Sequence, residues 1–328
     1  MTKTPQSPSG RCIRGLTTLV VAAVAICYTY PVLSEDAPVQ STWGIEDDTE
    51  LKPKVVGGDP AERGKFPWQV YVRTFYELPD DEIGTASCGG SVVWPGWILT
   101  AAHCLYFVDD RQPDQIVVYK PSQIVVYIGD VEWKKGTPVE VKKYFPHEQY
   151  DPKTTNNDIA LLQLRQQAGS DLWIGILQEA DEDRLAGEGT AAIVSGWGAT
   201  FDPQLLQALG YDASMYTQEM WEDFTQPARL SFTALPIRSL SYCKEIGSAI
   251  SDKMICAGGL GGKGTCFGDS GGPLVVPADD SRNGYLQVGI VSRALTGNAI
   301  CGQPGYPAVF TRVSQFSDWM AKIMRENR

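Results

Sequence analysis

The sequence predicts an all-β fold class, a barrel or a sandwich, that ends in one helix. From Val55 onward, short runs rich in β-branched and aromatic residues alternate with turn residues. The chain contains 33 glycines and 21 prolines, which suits many short strands joined by tight turns. A helix is predicted near the C-terminus, where Phe316, Trp319, Met320 and Ile323 are spaced as one helical face.

The predicted strands cover both halves of the region after Val55. The C-terminal helix is expected to be capped by Ser314, and core packing is sufficient to explain its apolar face. The clearest strand candidates are Trp68–Val72, Ser91–Val93, Trp97–Thr100, Gln123–Ile128, Ala191–Ser195, Tyr285–Ser292 and Ala308–Val313.

Composition and charge exclude one class of function. The 328 residues are 43% hydrophobic and 20% charged, which is typical of a globular protein. The net charge is −11 and the acidic residues are spread along the chain. Because a nucleic-acid binder needs a basic face, nucleic acid is not an expected partner.

Residues 1–34 have the layout of a secretory signal peptide. Lys3, Arg11 and Arg14 precede an apolar run from Leu16 to Cys27, and polar residues follow. The run is shorter than the roughly 20 residues that a membrane-spanning helix needs. A buried helix or a retained signal anchor is the alternative, and a retained anchor would make the protein a membrane-anchored adhesion or processing factor. We predict secretion to the extracellular space, without stable membrane association.

Residues 35–54 are polar and acidic and show no periodic apolar pattern, so they are predicted to be an exposed propeptide. The remaining residues, 55–328, form the predicted folded domain.

Two stretches of this domain look like insertions. The first, at 107–121, contains the pentapeptide QIVVY at Gln115–Tyr119, which recurs after Lys120-Pro121-Ser122 as Gln123–Tyr127. The repeat is too short to be architectural, so a hairpin made by a duplicated strand is predicted. The second insertion, at 201–229, is acidic, aromatic and partly helical in pattern. Either insertion could restrict access to a cleft, although growth of a surface loop costs little free energy and is favoured for the second.

Three short segments carry the residue types that nucleophilic hydrolysis requires. His103 lies in TAAHC, Asp158 in NDIAL and Ser270 in GDSGGP. A serine hydroxyl is a weak nucleophile at neutral pH, so it needs a base, and the base needs a partner that fixes its tautomer. Histidine suits the role because its pKa lies near neutrality. Glycines around the serine allow backbone N–H groups to point at a developing oxyanion.

These motifs, in the order His, Asp, Ser, resemble those of the chymotrypsin-like (trypsin-fold) serine proteases. The resemblance covers Val55 to about Arg325. It implies two Greek-key β-barrels packed together, with a C-terminal helix and the active site between the barrels. It also implies that Ser270 is the nucleophile, His103 the general base and Asp158 the residue that orients the base. The backbone N–H groups of Gly268 and Ser270 would form the oxyanion hole.

The resemblance also covers residues around the triad. Ser292 matches the serine that hydrogen-bonds the triad aspartate, and Ser195–Gly198 matches a structural SGWG motif of the family.

The cysteines indicate disulfide bonds. Six of the eight lie after the leader, and an even number in an exported domain is typical of a disulfide framework. The chain has no CxxC and only two histidines, so no zinc site is expected. The short Asp130–Gly136 loop offers few oxygen ligands for calcium, and we predict neither a metal nor a cofactor. The resemblance implies the pairs Cys88–Cys104, Cys243–Cys256 and Cys266–Cys301.

The junction at Lys54 resembles the activation site of the same family, because Val55-Val56-Gly57-Gly58 follows it. Cleavage there would free an α-amino group on Val55, which the resemblance places against Asp269. Pairing the two charges offsets the cost of burying them and can hold the oxyanion loop in shape. The expected partners are protein or peptide substrates and an activating trypsin-like protease.

The resemblance places Gly264 at the floor of the specificity pocket, with Thr265 beside it. Trypsins carry an aspartate at the Gly264 position, and without it a buried Arg or Lys side chain would lack a partner, at a cost of several kcal/mol. Ala294 and Ala308 match wall positions that are glycine in enzymes that accept large side chains. The pocket therefore resembles that of elastase, and cleavage after small or medium apolar residues is expected.

Two basic residues leave other outcomes open. Arg293 stands where the family usually has an aromatic residue, and it could attract an acidic substrate residue or lie over the surface with its stem buried. Lys263, next to the pocket floor, raises the same question. These departures also leave a non-enzymatic alternative, in which a catalytically silent homologue acts as a secreted binding or decoy protein.

Overall fold

Short strands are the commonest regular structure in the described chain. The structure, a computed structural model, describes residues 56–77, 83–108, 116–169, 171–200, 227–247, 249–295 and 300–328. The predicted leader and propeptide, and most of the second insertion, lie outside these residues. The first half of the described chain contains the strands β1 (Asp59–Pro60), β2 (Gln69–Glu77), β3 (Ile83–Trp94), β4 (Trp97–Thr100), β5 (Tyr106–Val108), β6 (Ile116–Val118), β7 (Ile124–Ile128), β8 (Thr137–Pro146), β9 (Ala160–Leu164) and β10 (Gly175–Ile176).

The second half adds six strands among the described residues, together with the helices. The strands are β11 (Ala191–Gly196), β12 (Ser231–Arg238), β13 (Met254–Gly258), β14 (Pro273–Pro277), β15 (Tyr285–Ala294) and β16 (Pro307–Arg312). The α-helices are α1 (Glu182–Leu185), α2 (Leu240–Ile246) and α3 (Ser317–Glu326). Turns of 3-10 helix lie at Ala102–Leu105, Pro121–Gln123, Trp133–Lys135, Glu179–Asp181 and Val313–Phe316.

The strands form two closed antiparallel barrels with the same strand order. Barrel 1 runs β2-β3-β4-β9-β8-β7 and closes where β7 pairs with β2. Barrel 2 runs β12-β11-β14-β15-β16-β13 and closes where β13 pairs with β12. Read from its first strand in sequence, barrel 2 is the ring β11-β12-β13-β16-β15-β14. In each barrel, therefore, the first three strands in sequence are neighbours, and the last three follow in reverse order. The predicted all-β class, two barrels and C-terminal helix are confirmed.

Alternating side chains explain why these segments close into barrels. In β7, Ile124, Val126 and Ile128 are at most 5% exposed, whereas Val125 and Tyr127 are only partly buried. Successive residues of a strand point to opposite faces, so one face of β7 fills the barrel. Burying one such side chain completely stabilises the fold by about 1.5–3 kcal/mol.

The two barrels and α3 share apolar clusters. Trp68 and Tyr71 from the first barrel pack in one cluster with Val275 of β14. In a second cluster, Phe316 and Met320 pack with residues of β4 and β9. The C-terminal segment therefore follows barrel 2 in sequence but covers the outside of barrel 1.

The hairpin predicted from the two QIVVY copies is wrong. The second copy forms β7, whose two edges are already paired with β2 and β8. The first copy provides β6, which pairs instead with β5, so that Ile116 lies opposite Val108. The insertion does contain a hairpin, but its strands are β5 and β6.

The cap predicted for the C-terminal helix is also wrong. The apolar face is confirmed, since Phe316, Met320 and Ile323 are buried. However, α3 begins at Ser317, after a 3-10 turn, and the hydroxyl of Ser314 donates a hydrogen bond to Glu182 instead.

In the part of the chain that the structure describes, none of the helices has the length and apolar character needed to cross a membrane.

Candidate active site

His103 and Asp158 meet at one end of barrel 1. Strands β4 and β9 are paired with Thr100 opposite Ala160, so the residues after β4 and before β9 lie at the same end. The Nδ1 atom of His103 lies 2.8 Å from Oδ2 of Asp158, and the backbone N–H of His103 donates to Oδ1 at 2.9 Å. The carboxylate thus fixes both the backbone and the ring of the histidine.

Barrel 2 completes the surroundings of Asp158, whose side chain is fully buried. The hydroxyl of Ser292 donates to its Oδ2 at 2.6 Å, and the hydroxyl of Thr311 donates to its backbone carbonyl at 2.7 Å. Burial lowers the pKa of His103, but the charge of Asp158 and the hydrogen bond to it outweigh burial, so that pKa is raised overall. The site therefore stabilises the imidazolium form of His103.

The backbone fixes Ser270 between the two barrels. Its carbonyl accepts a hydrogen bond from the N–H of Gly89 in β3 at 2.7 Å, and the N–H of Gly271 donates to a carbonyl of β15 at 2.8 Å. Gly271 has a φ of 77°, and a Cβ there would come within 3.1 Å of Sγ of Cys104. The turn that carries Ser270 therefore packs against Cys104, the residue that follows His103.

The turn before Ser270 depends on a second glycine. Gly268 adopts a φ of 93°, a conformation that residues other than glycine rarely adopt. A Cβ at this position would also lie 3.2 Å from the Cα of Gly198. The predicted oxyanion donors, Gly268 and Ser270, therefore belong to one tight turn with a glycine on either side of the serine.

Asp269, between them, is fully buried. Its Oδ1 accepts a hydrogen bond from the N–H of Gly198, and its Oδ2 accepts one from the N–H of Cys266, each at 2.9 Å. Among the residues that the structure describes, no cation is paired with it. Burial raises the pKa of Asp269 to about 6, although the two backbone donors act in the opposite direction.

The predicted activation residues Lys54 and Val55 lie outside the described residues. The chain that follows them is attached to barrel 2. The carbonyl of Val56 accepts a hydrogen bond from the N–H of Gly264 at 3.2 Å, and Asp59 in β1 pairs with Phe232 in β12.

A cavity of about 270 Å³ opens beside Ser270. All four predicted pocket residues line it: Gly264, Thr265, Ala294 and Ala308. A Cβ on Gly264 would lie 3.0 Å from the backbone of Gly302, so a larger residue would have to displace the opposite wall. Within the described chain, the lining contains no carboxylate, and its charged members are Lys263 and Arg293.

The guanidinium of Arg293 is hydrogen-bonded to the protein itself. Its Nε donates to Oγ1 of Thr155 at 2.9 Å, and its Nη atoms donate to the carbonyls of Ala294, Leu295 and Ala249 at 3.1 to 3.4 Å. Burial lowers the pKa of Arg293. This geometry favours the second of the two predicted roles, in which the stem is buried and the head rests on the surface. Lys263 lies exposed at the rim.

Comparison with known proteins identifies the family. The family model described as Trypsin matches residues 55–320, most of the chain. The chain belongs to the trypsin family. A relative named Trypsin, from Phaedon cochleariae, is 31% identical over 292 residues, which are 85% of this chain and 91% of that protein.

Other trypsin-family relatives have more specific names. Phenoloxidase-activating factor 3 of Holotrichia diomphalia is 29% identical over 310 residues, covering 92% of this chain and 80% of that protein. Serine protease 56 of Homo sapiens is 31% identical over 285 residues, covering 84% of this chain but 40% of its own length. The chain thus spans less than half of that longer relative.

The trypsin-family domain contains three disulfide bonds. The pairs are those that the resemblance implies: Cys88–Cys104, Cys243–Cys256 and Cys266–Cys301. In the described residues, one cluster has the spacing of metal ligands, and it consists of Cys88, His103 and Cys104. Both cysteines are oxidised in the disulfide, so the cluster offers no thiolate to an ion.

Sequence reasoning missed several residues around Asp158. Thr155 and Asn157 precede it with positive φ values, and Lys253 donates a hydrogen bond to Asn157. Asn157 was visible in the NDIAL motif, because asparagine tolerates the left-handed conformation better than most residues. Lys253 carried no comparable signal.

Proposed function

We propose that the chain is a secreted serine endopeptidase, made as a zymogen, that cleaves proteins or peptides through an acyl-enzyme. The observation that carries the proposal is the hydrogen-bonded chain from Ser292 through Asp158 to His103, next to the glycine turn that holds Ser270. A hydroxyl, an imidazole and a buried carboxylate in this order are the groups that acyl transfer needs.

Each group has one role in the proposed reaction. His103 accepts the proton of Ser270 as Oγ bonds to the substrate carbonyl carbon, and Asp158 stabilises the resulting imidazolium. The N–H groups of Gly268 and Ser270 bind the oxyanion of the tetrahedral intermediate. The C–N bond then breaks, and His103 passes its proton to the leaving amine. A water molecule, with His103 again accepting its proton, then attacks the acyl carbon. The ester bond breaks, His103 returns the proton to Oγ, and the carboxylic acid and free Ser270 are released.

The zymogen part of the proposal rests on Asp269. A fully buried carboxylate with two neutral donors is costly to ionise, and its pKa of about 6 reflects that cost. Cleavage between Lys54 and Val55 would supply a cationic α-amino group one residue before Val56, whose carbonyl accepts a hydrogen bond from the N–H of Gly264. The activating enzyme would be a trypsin-like protease that cuts after lysine.

The cavity supports a preference for small or medium apolar residues before the cut. Its described lining has no carboxylate to pair with a substrate Arg or Lys, and Ala294 and Ala308 take up space on its walls. A methyl-sized difference discriminates by only about 1–3 kcal/mol, so larger apolar residues would be cleaved more slowly. If so, the enzyme would cut its own Lys54 junction poorly.

The relatives and the leader support the remaining details. A relative named as an activating factor is consistent with a protein substrate in a protease cascade. Residues 1–34 as a signal peptide and 35–54 as a propeptide would deliver residues 55–328 to the extracellular space.

The test is labelling with a serine-directed phosphonate. The purified chain is treated with immobilised trypsin, the trypsin is removed, and labelling and peptide hydrolysis are measured before and after treatment. We expect both only after treatment, only when Lys54 is intact, and neither in Ser270→Ala, which removes one hydroxyl and little packing. A treated wild-type protein that stays unlabelled but folded would favour the decoy function, and N-terminal sequencing of the exported chain tests the signal-peptide assignment.

Specificity is tested separately on peptides that differ only in the residue before the cut. We expect the highest kcat/KM after Ala, Val or Leu. A dominant preference for Arg or Lys would contradict the pocket proposal, and a preference for Asp or Glu would assign the selection to Lys263 and Arg293.

A further inference from the structure

The loop that leads into Asp158 contains two residues in a strained backbone conformation. Thr155 has a φ of 53° and Asn157 a φ of 56°. Non-glycine residues seldom adopt this left-handed conformation, and β-branched threonine does so least readily. Such a conformation persists when the contacts around it hold it in place.

Each of these two residues accepts a hydrogen bond from a cation of barrel 2. The Nζ atom of Lys253, just before β13, donates to Oδ1 of Asn157 at 2.7 Å. The Nε atom of Arg293, in β15, donates to Oγ1 of Thr155 at 2.9 Å. Asn157 is only 9% exposed, so its bond is largely shielded from water. Hydrogen bonds from charged donors are about twice as strong as those between neutral groups.

The loop and the two cations are also held on their other sides. The amide nitrogen of Asn157 donates to the carbonyl of Gln149 at 2.8 Å, which closes the loop at 149–157. The ammonium of Lys253 lies 5.5 Å from the ring centre of Phe316, and the Lys253 carbonyl accepts a hydrogen bond from the N–H of Arg312. These contacts hold the Lys253 side chain and backbone in place on barrel 2.

We propose that Lys253 and Arg293 are positioning residues that clamp the 149–157 loop against barrel 2 and so hold Asp158 in line with His103. The proposal rests on the proposed peptidase function. Neither cation hydrogen-bonds to Asp158 among the contacts that the structure describes. Lys253 acts through Asn157, and Arg293 acts through Thr155 in addition to its charge interaction with Asp158. A misplacement of about 1 Å in a catalytic group can reduce the rate about 100-fold, so a loosened loop should lower turnover.

The pH dependence of His103 reports on the clamp, because the ionised Asp158 raises the His103 pKa. The other titratable groups that face Asp158 are Tyr106 and Tyr150, whose pKa values are raised by burial and by that carboxylate, and Arg293. Both phenols thus stay neutral, and the guanidinium stays charged, across the working pH range.

Lys253 also faces a titratable histidine. His147 lies near it, and burial lowers the His147 pKa, with Glu148 opposing and Lys253 adding to that effect. A His147→Asn background therefore separates the titration of His147 from that of His103.

The test compares Lys253→Met and Arg293→Met with their conservative variants, Lys253→Arg and Arg293→Lys. Lys244→Met is the matched control, because Lys244 lies in helix α2 and its described ion pair, at 2.9 Å, is with the exposed Asp252 and not with the 149–157 loop. Each full-length chain is activated with immobilised trypsin. The kcat and KM for a peptide amide with alanine before the cut are then measured from about pH 5 to about pH 9.

We expect Lys253→Met to lower kcat about 10- to 100-fold with little change in KM, and to move the acid midpoint of kcat toward lower pH. Lys253→Arg should restore most of the turnover, and Lys244→Met should behave as wild type. Arg293→Met should lower kcat as well, with an added change in KM because Arg293 lines the cavity. Asn157→Gly permits the same backbone conformation but removes both the acceptor for Lys253 and the bond to Gln149, so it should lower kcat at least as much as Lys253→Met, even if that variant folds poorly.

Two outcomes overturn the clamp. One is an active wild type whose Lys253→Met and Asn157→Gly variants keep its kcat and acid midpoint. The other is a loss of activity that follows the fraction unfolded alone. If the treated wild type shows no hydrolysis, the peptidase function fails instead, and the downfield proton resonance of His103 Nδ1 still tests the clamp. It should move in Lys253→Met and stay unchanged in Lys244→Met.

Discussion

Two buried aspartates lie near Ser270, and their surroundings differ. Asp158 and Asp269 are both fully buried. Asp158 accepts hydrogen bonds from the backbone and ring of His103 and from the hydroxyl of Ser292. Asp269 accepts only two backbone hydrogen bonds among the described contacts, and its pKa is raised to about 6. Within the part of the chain that the structure describes, the carboxylate that would orient the base thus has an imidazole partner, and the carboxylate beside the oxyanion turn has no cation.

Of the substitutions that test this difference between the two aspartates, Asp158→Asn should have the largest effect, and that effect should be on kcat. The amide keeps the shape of the side chain but has one oxygen for the two donors of His103. An NH2 group facing Nδ1 would favour the wrong tautomer, and a neutral amide would not stabilise the imidazolium. We expect kcat of the activated protein to fall about 10⁴-fold, with an unchanged circular dichroism spectrum. A loss of less than about 100-fold would contradict the role of Asp158.

Asp269→Asn should affect stability in a pH-dependent way. In the continuous chain the Asp269 pKa rises from 3.8 unfolded to about 6 folded, so the native state binds the proton more tightly. The native state is therefore favoured below about pH 4 and loses stability as the pH rises to about 6. Relative to Asp269→Asn, wild type should lose about 3 kcal/mol of unfolding free energy between pH 4 and pH 7, measured by urea denaturation.

The cleaved form is the control for this prediction. A buried α-amino group on Val55 would stabilise the ionised carboxylate, so the loss relative to Asp269→Asn should shrink or reverse after cleavage. Equal pH dependence of the two proteins before cleavage would show that Asp269 ionises in the folded chain without cost.

Ser292→Ala should have the smallest effect. It removes one donor to Asp158, and a hydrogen bond to a charged group contributes about 1.5–3 kcal/mol. Because two donors from His103 remain, we expect kcat to fall about tenfold.

Activity requires neutral His103, whose pKa is raised, so the acid midpoint of kcat/KM should lie above 6.5 in wild type. It should rise slightly in Ser292→Ala, since the carboxylate becomes a stronger acceptor for the imidazolium; a midpoint below 6.5 in wild type would contradict the raised pKa.

The repeated pentapeptide shows where sequence reasoning reaches its limit. Ile124 of the second copy is 1% exposed inside barrel 1, whereas Ile116 of the first copy is 49% exposed in the β5–β6 hairpin. The composition of each copy predicts a strand, and both copies do contain one. The choice of partner strand depends on which edges of the barrel are already occupied, and five residues carry no information about that.

The site shows the same division. The sequence suggests residues 103, 158 and 270 as a candidate site because nucleophilic hydrolysis restricts the residue types it can use. The glycines around Ser270 were predictable because the turn needs positive φ. The contact between Arg293 and Thr155 was not readable, since it joins residues 138 positions apart in sequence. An arginine or lysine in a sequence does not reveal whether its side chain will contact solvent, a substrate or a strained loop.

The packing of α3 has a consequence for synthesis of the chain. Barrel 1 is complete in sequence at Leu164, yet the apolar cluster on its outside includes Phe316, Met320 and Ile323. A nascent chain on the ribosome that has not yet reached these residues would present that face to water and to chaperones. Docking of the C-terminal segment is therefore a late step in biogenesis, and truncations before Phe316 should be recovered as aggregates or as chaperone complexes.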